Sequence, residues 1–313
     1  MPELAPPPDA APVLAQQFTV QEACSLEVNV PRVRARLRPA SDPTRLSVDI
    51  TVAGALDASP EAVMDRMEIG TRQVQNTIRI VTPPKRENPE WWRWLRTTDA
   101  RVFLDIRVPS PVEASMHVPG GTLVLSGLRG EFDVSVPGGA VQLHDLSGPV
   151  ALHTRRSRAE VRNVDGPRLS VRASAAPVTL TNIDSEQVEV TTAAAPLTLR
   201  NAHGTCAITA HAAPVTLSEL SGPCQATAHG GALSFTGPLR APTDLATVGA
   251  ALTAHLSPET SATLDATGSS VSLDESLPFA GEREPGRLHG TLNGDGPSLS
   301  LRAVRAPVHC RAV

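Results

Sequence analysis

A short segment recurs three times in the middle of this chain of 313 residues, at nearly constant spacing. The copies are Ser174–Leu180, Ala193–Leu199 and His211–Leu217, and each ends in Ala-Pro, an apolar residue, Thr and Leu. Their prolines, Pro177, Pro196 and Pro214, lie 19 and 18 residues apart. A fixed period of this length is typical of solenoid proteins, whose units bury their apolar faces only by stacking on their neighbours. The sequence therefore predicts a long, regular β-structure more clearly than it predicts any chemistry.

From Val118 onward each period has the same internal pattern: a small-residue corner, an apolar-x-apolar strand, one apolar pivot residue, a glycine, and a second apolar-x-apolar strand. The pivots are Leu128, Leu146, Val164, Ile183, Leu220 and the smaller Ala202. Two residues after most of them comes Gly130, Gly148, Gly166, Gly204 or Gly222, where a tight bend can use positive φ. Three short faces in about 18 residues predict a triangular cross-section built from parallel strands.

The chain before residue 118 is strand-rich but irregular. Apolar and polar residues alternate over 25–30, 32–37, 46–52, 77–81 and 102–108, the period of strands with one wet face. Pro60–Met67 fits a short helix, with proline in its first turn. We therefore predict a flexible lead over 1–16, a β-rich region and cap over 17–117, and solenoid repeats with a C-terminal cap over 118–313.

The glycine-corner repeats and the closing series resemble the bacterial putative-adhesin family of unknown function, a repetitive β-solenoid domain. The closing series contains Gly-Asp-Gly (294–296), Leu-Ser-Leu (299–301) and Ala-Pro-Val (306–308), and the resemblance runs from Phe18 to the C-terminus. It implies a single-stranded right-handed parallel β-helix of about 18–19 residues per turn. It implies no catalytic residues. Ala176-Pro177 departs from the family pattern, because Ala-Pro stands where a glycine corner is usual.

The net charge and the N-terminal segment indicate where in the cell the protein acts and which class of partner it binds. A net charge of −4 and a pI near 6.1 give no general attraction to nucleic acid or anionic membranes. The lead has no basic start and no unbroken apolar stretch, so a signal peptide is not indicated, and no window predicts a membrane span. We therefore expect a cytoplasmic protein, with association to the cell envelope arising through a partner.

Two cysteines and two histidines share one spacing, Cys206 to His211 and Cys224 to His229. Together they could form a tetrahedral zinc site. The repeat register argues against it, since the cysteines align with inward positions and the histidines lie beyond the strand end. We favour buried cysteines and an exposed histidine ladder, with a disulfide between Cys206 and Cys224 as an alternative, and we predict no metal and no cofactor.

Two clusters are candidates for partner binding. Trp91, Trp92 and Trp94 are all the tryptophan in the chain, and they lie in a proline-flanked segment with two arginines. They fit either a partner-binding tip or a cap over open strand edges. The second cluster is arginine-rich and could hold an anionic polymer or be a solvated face. Its members are Arg155, Arg156, Arg158, Arg162, Arg168 and Arg172.

Motifs of the common enzyme classes are absent, and no column of carboxylates follows the repeats. The leading hypothesis is a non-enzymatic, adhesin-like binding or scaffolding protein that presents an elongated surface to a protein or an envelope polymer. The arginine cluster lacks interleaved aromatic residues, which argues against nucleic acid. The alternatives are self-assembly into homo-oligomers through the solenoid ends and, third, a polysaccharide-active enzyme.

Overall fold

A computed structural model describes residues 12–21, 23–54, 59–83, 89–97 and 100–313. The described residues form 25 strands and two helices, so the predicted all-β class is confirmed. The chain divides into two compact units, the N-terminal unit Met1–Arg158 and the C-terminal unit Ala159–Val313. In the part of the chain described, neither helix has the length and apolar character needed to span a membrane.

The N-terminal unit holds both helices and the first eleven strands. The helices are α1 (Pro60–Met67) and α2 (Pro89–Thr97). The strands are β1 (Leu14–Thr19), β2 (Cys24–Asn29), β3 (Val33–Pro39), β4 (Arg45–Ala53), β5 (Gly70–Val74), β6 (Thr77–Val81), β7 (Arg101–Val108), β8 (Val112–His117), β9 (Thr122–Pro137), β10 (Ala140–Ser147) and β11 (Val150–Arg155). The predicted helix has the bounds of α1, and each strand predicted before residue 118 overlaps an observed strand.

Strand pairing arranges the N-terminal unit as two runs that share β9. In the first run the order is β1-β4-β7-β3-β9-β10, and in the second it is β5-β6-β2-β8-β9-β11. The first half of β9 pairs with β3 and β10, and its second half pairs with β8 and β11. Gly127 and Gly130, both with positive φ, lie at the change between the halves. Buried residues recur along the strands of both runs except at their outer ends, β1 and β5, which contain none.

The C-terminal unit holds the remaining strands. They are β12 (Arg158–Ser174), β13 (Val178–Ala193), β14 (Leu197–His211), β15 (Val215–Leu220), β16 (Cys224–His229), β17 (Leu233–Thr236), β18 (Thr243–Val248), β19 (Leu252–Leu256), β20 (Ala262–Thr267), β21 (Val271–Leu273), β22 (Phe279–Glu284), β23 (Arg287–Leu292), β24 (Ser298–Val304) and β25 (Val308–Ala312). Strand β12 begins one residue before this unit does.

The predicted period sets the strand register. Ala159 pairs with Val178, 19 residues later, and Leu197 pairs with Val215, 18 residues later, in parallel. The predicted pivot residues pair with one another and are buried, as predicted. The stacked pivots of this unit are Val164, Ile183, Ala202 and Leu220, and those of the N-terminal unit are Leu128 and Leu146.

Left-handed residues mark the corners. Asn163, Asn182 and Asn201 have φ of 53, 55 and 52°. Their side chains form a ladder in which Asn182 Nδ2 donates to Asn163 Oδ1 at 2.9 Å and Asn201 Nδ2 donates to Asn182 Oδ1 at 3.0 Å. Asparagine tolerates this backbone better than most residues. Of the predicted glycine corners, Gly130, Gly148 and Gly204 have positive φ, whereas Gly166 and Gly222 do not. The Ala-Pro corners keep the geometry with alanine, since Ala175, Ala194 and Ala212 have φ of 60, 51 and 54°.

The last strands do not follow chain order. β24 and β25 pair in parallel with β18 and β19 on one side and with β20 and β21 on the other, so the final segment lies between two earlier pairs of strands. β23 pairs antiparallel with both β20 and β22. Antiparallel pairs also join β1 to β4, β4 to β7 and β5 to β6. Pairing is therefore mixed in both units, which corrects the expectation of a wholly parallel arrangement.

Candidate functional site

The tryptophan segment is a helix that packs on α1, not an irregular insertion. Helix α1 is capped by Ser59, whose Oγ accepts a hydrogen bond from the Ala62 amide at 3.3 Å. At its other end, the Arg66 carbonyl accepts a hydrogen bond from Trp91 Nε1 at 2.8 Å. The Arg66 guanidinium also lies 4.6 Å from the centre of the Trp94 ring. One arginine thus joins the two helices.

The candidate tryptophans have different environments. Trp91 is 4% exposed and its indole nitrogen is satisfied, so it stabilises the helix pair. Trp94 is half-buried and lines a pocket. The side chain of Trp92 lies outside the described residues. Whether this segment also contacts a partner stays a prediction.

The pocket has a volume of about 310 Å³ and lies where three strands of the N-terminal unit begin. Strand β3 lies between β7 and β9, so the first residues of all three strands meet at one edge. Val33, Val63, Met67 and Val102 are buried among the lining residues and form an apolar floor. Trp94 lies beside this floor, and Gly120 and its neighbours complete the wall.

Three arginines line the pocket: Arg32, Arg34 and Arg101. Arg32 has a left-handed backbone, φ 56°, and its amide donates to the Pro119 carbonyl at 2.8 Å. The Arg34 guanidinium lies 5.4 Å from the centre of the Phe103 ring. The backbone therefore fixes the starting point of the Arg32 side chain, and the Arg34 guanidinium lies over the Phe103 ring.

Two arginines of this pocket, Arg32 and Arg101, stand out among the described residues. Elsewhere in the N-terminal unit arginines pair with carboxylates, for example Arg38 with Asp105 and Arg79 with Glu27. Among the described residues, Arg32 and Arg101 have no ion pair, and no described lining residue is acidic. Guanidinium groups bind carboxylates and phosphates through paired hydrogen bonds. The pocket can therefore hold an anionic group.

The predicted arginine cluster is divided between the two units. Arg155, Arg156 and Arg158 are exposed at the end of the N-terminal unit, around the buried Ser157. Ser157 Oγ accepts from the Gly139 amide at 3.0 Å and donates to the Val136 carbonyl, which fixes this corner.

The other members of the cluster, Arg162, Arg168 and Arg172, are exposed residues of the C-terminal unit. Arg162 pairs with Glu160, and Arg168 Nη2 lies 2.8 Å from Glu189 Oε2. Part of this predicted anion-binding surface is therefore neutralised by carboxylates of its own unit.

The cysteines and histidines separate as the repeat register predicts. Cys206 and Cys224 pair directly on β14 and β16, both are buried, and they form no disulfide. Burial raises the pKa of Cys206 to about 11, and burial, followed by nearby Cys206 and Asp244, raises the pKa of Cys224 further. His211 and His229 are exposed. Within the described part of the chain, no group of three or more His, Cys, Asp or Glu residues could hold a metal ion.

Sequence reasoning missed Arg32, Arg34 and Arg101. The alternation over 32–37 did indicate that Arg32, Arg34 and Arg36 leave the strand on its wet face. The alternation could not show that β7 and β9 begin beside β3. It also could not show that two helices lie over the edge where these three strands begin. The pocket depends on contacts between distant parts of the chain, and the segment 89–97 was not predicted as a helix.

Comparisons with known proteins give structural matches only: no family model and no curated protein matches the sequence. The solved structures that are similar are bacterial proteins. They include a putative adhesin from Bacteroides fragilis (7% identity, TM-score 0.39, covering 96% of each chain). A putative cell adhesion protein from Clostridium sporogenes has 8% identity and a TM-score of 0.25, covering 96% of this chain and 99% of that one. A putative adhesin from Parabacteroides merdae has 10% identity and a TM-score of 0.33, covering 96% and 95%.

These structures carry the description putative adhesin or putative cell adhesion protein, in line with the family that the sequence resembles. At TM-scores below 0.5 the matches say nothing of what this chain binds, and the pocket must be argued from its own residues.

Proposed function

We propose that this chain is a non-enzymatic, adhesin-like β-solenoid protein that binds an anionic envelope polymer through the pocket of Arg32, Arg34 and Arg101. The observation that carries the proposal is the pair of Arg32 and Arg101, which line one pocket and have no ion pair among the described residues. An acidic polymer repeats its negative charge along its length. One polymer molecule could therefore bind several copies of this protein.

The solenoid part of the proposal is supported by the register. Parallel pairing at offsets of 18 and 19 residues, stacked pivots and the asparagine ladder are what a β-helix requires of each turn. Parallel crossover connections are nearly always right-handed, so we propose a right-handed winding. The antiparallel strands β1, β4 and β5 and the β22–β23 hairpin are then additions to that winding.

The pocket is better suited to binding than to catalysis. Its described lining residues include no carboxylate, histidine or cysteine, which are the usual acids, bases and nucleophiles of enzymes. Guanidinium groups remain charged at any physiological pH and hold planar or tetrahedral oxyanions in fixed orientation. The Trp94 ring and the apolar floor could contact the carbon faces of a sugar.

The test is binding to polymers that differ in charge. Polygalacturonate and polyphosphate are the anionic probes, and dextran is the neutral one, with affinity measured by biolayer interferometry at two salt concentrations. We expect the anionic polymers to bind, more weakly at high salt because exposed charges are screened. Arg32→Gln/Arg101→Gln should weaken binding at least about tenfold, equivalent to about 1.4 kcal/mol.

Two control variants locate the site. Arg129→Gln removes one exposed positive charge outside the pocket, and Arg155→Gln/Arg158→Gln removes two from the predicted arginine cluster. If the Arg155/Arg158 variant loses the polymer and the Arg32/Arg101 variant keeps it, the pocket is not the site. Dextran binding equal to that of the anionic polymers would show that the negative charge of the polymer does not drive binding.

A further inference from the structure

Two histidines of the C-terminal unit lie directly opposite each other on neighbouring strands. His211 is the last residue of β14 and His229 the last of β16, and the two are partners in the parallel register. Their ring centres are 5.0 Å apart and the ring planes differ by 9°. Both side chains are exposed. The pair therefore presents two imidazoles, which are strong ligands of metal ions, to solvent on adjacent strands.

The backbone beneath this pair is fixed. The His211 carbonyl accepts a hydrogen bond from the Ala194 amide, and the His229 carbonyl accepts one from the Ala212 amide, both at 2.7 Å. The residues that follow, Ala212 and Gly230, turn away in left-handed conformations with φ of 54 and 71°. The two imidazoles are therefore held side by side at a corner, and only their side-chain torsions remain free.

The imidazole nitrogens have no hydrogen-bond partner among the described residues. His309 offers the contrast, since its Nδ1 lies 2.8 Å from Ser272 Oγ. The register neighbours of the pair are Ala193 next to His211 and Val248 next to His229, and neither can bond to an imidazole. Nothing beside the two rings competes for their nitrogen atoms.

We infer that His211 and His229 form a two-ligand site for a late first-row divalent metal ion, of which Cu²⁺ should bind most tightly. Imidazole suits copper, nickel and zinc, and affinity for a nitrogen site rises toward Cu²⁺. A metal–nitrogen bond of about 2.0–2.1 Å requires the two ligand atoms to be about 3 Å apart. Rings stacked 5.0 Å apart reach that separation by tilting toward each other, without any movement of the strands.

This site differs from a structural zinc site. Cys206 and Cys224 lie on the same two strands but are buried, so they cannot complete a tetrahedron with the exposed histidines. The remaining coordination positions are left to water or to a donor atom from another molecule. An open site of this kind binds less tightly than a four-ligand cage, and it can bridge to a second ligand.

The test is calorimetric titration of the full chain, prepared without a histidine tag, with CuCl₂ and NiCl₂ at pH 7.5. We expect Cu²⁺ to bind more tightly than Ni²⁺, and His211→Ala and His229→Ala each to weaken Cu²⁺ binding at least about tenfold. The control is His203→Ala, which removes an exposed histidine from β14 that lies opposite Asp184 and not opposite a second histidine. This control should bind as the unchanged chain does.

A second measurement guards against weak copper sites elsewhere in the chain. A metal ion that bridges β14 and β16 should raise the Tm of the unchanged chain and of His203→Ala but not of His211→Ala. Equal Cu²⁺ affinity in the unchanged chain, His211→Ala and His229→Ala would overturn the inference. An equal rise in Tm in all of them would do the same.

Discussion

The two units bring polar side chains together in different ways. In the C-terminal unit, neighbouring turns present like residues to each other, so Asn163, Asn182 and Asn201 hydrogen-bond along a ladder. In the N-terminal unit, strands from distant segments begin at one edge, and Arg32 and Arg101 meet there with no described carboxylate between them. One unit bonds like residues to each other along the ladder, whereas the other gathers cations at an irregular edge.

The difference shows where function can arise in a repetitive fold. A regular stack can supply a polar corner residue with an identical partner one turn away, as it does in the asparagine ladder. The irregular edge of the N-terminal unit has no such repetition, and cations meet there beside buried apolar residues. In the C-terminal unit, the exposed rings of His211 and His229 stack without a hydrogen bond between their nitrogen atoms.

The largest effect should come from the tight stacking of the C-terminal unit. A Cβ at Gly204 would lie 1.8 Å from the Ser185 carbonyl oxygen, whereas a Cβ at Gly249 would have no atom within 4 Å. Both glycines have positive φ, 91 and 78°. Gly204→Ala should therefore cost about 4 kcal/mol or prevent folding, and Gly249→Ala about 1 kcal/mol. Chemical denaturation measures both, and equal losses would mean that the stack is not closely packed at Gly204.

The next effect tests the helix pair that covers the pocket in the N-terminal unit. Trp91→Ala removes a buried ring and the hydrogen bond to Arg66, and we expect a loss of about 3–4 kcal/mol in unfolding free energy. Trp94→Ala removes a half-buried ring and should cost about 1 kcal/mol, while weakening polymer binding. If Trp94→Ala is the more destabilising change, the assignment of Trp91 as the structural tryptophan is wrong.

The smallest effect compares two positions of the asparagine ladder. The Asn182 side chain takes part in two bonds of the ladder, because it donates to Asn163 and accepts from Asn201. The Asn201 side chain takes part in one described bond, which it donates to Asn182. Both have left-handed backbones, so alanine adds the same strain at each. We expect Asn182→Ala to lose about 2 kcal/mol and Asn201→Ala about 1 kcal/mol by thermal denaturation. A larger loss at Asn201 would show that the ladder does not act through these bonds.

Local patterns in the sequence predicted much of the fold. The pivots Val164 and Ile183 stack as the period requires, and the helix Pro60–Met67 begins and ends as its proline and apolar spacing indicate. These features depend on neighbours in the chain or on residues one period away. Cys206 and His211 fell on opposite sides for the same reason, because side chains alternate along a strand.

Long-range arrangement could not be predicted in the same way. Strand β3 pairs with β7 and β9 across more than sixty residues, as at Val33 with Val102, and no period in the sequence encodes that choice. Helix α2 had readable signals, proline at its start and Glu90 in its first turn, but the prediction of a cap or a partner-binding tip for the tryptophan segment did not use them. The domain boundary predicted at residue 16 falls inside β1, which begins at Leu14.

The interleaved position of β24 and β25 has a consequence for how the protein is made. These strands, Ser298–Ala312, follow β18 to β21 in the chain, yet they fill the space between β18 and β19 on one side and β20 and β21 on the other. On the ribosome, strands β12 to β19 can pair with earlier strands as they emerge, but this gap stays open until β24 and β25 have emerged. A premature stop near residue 297 would therefore remove the middle of the stack and leave two facing sets of unpaired strand edges, the template for pairing with other chains.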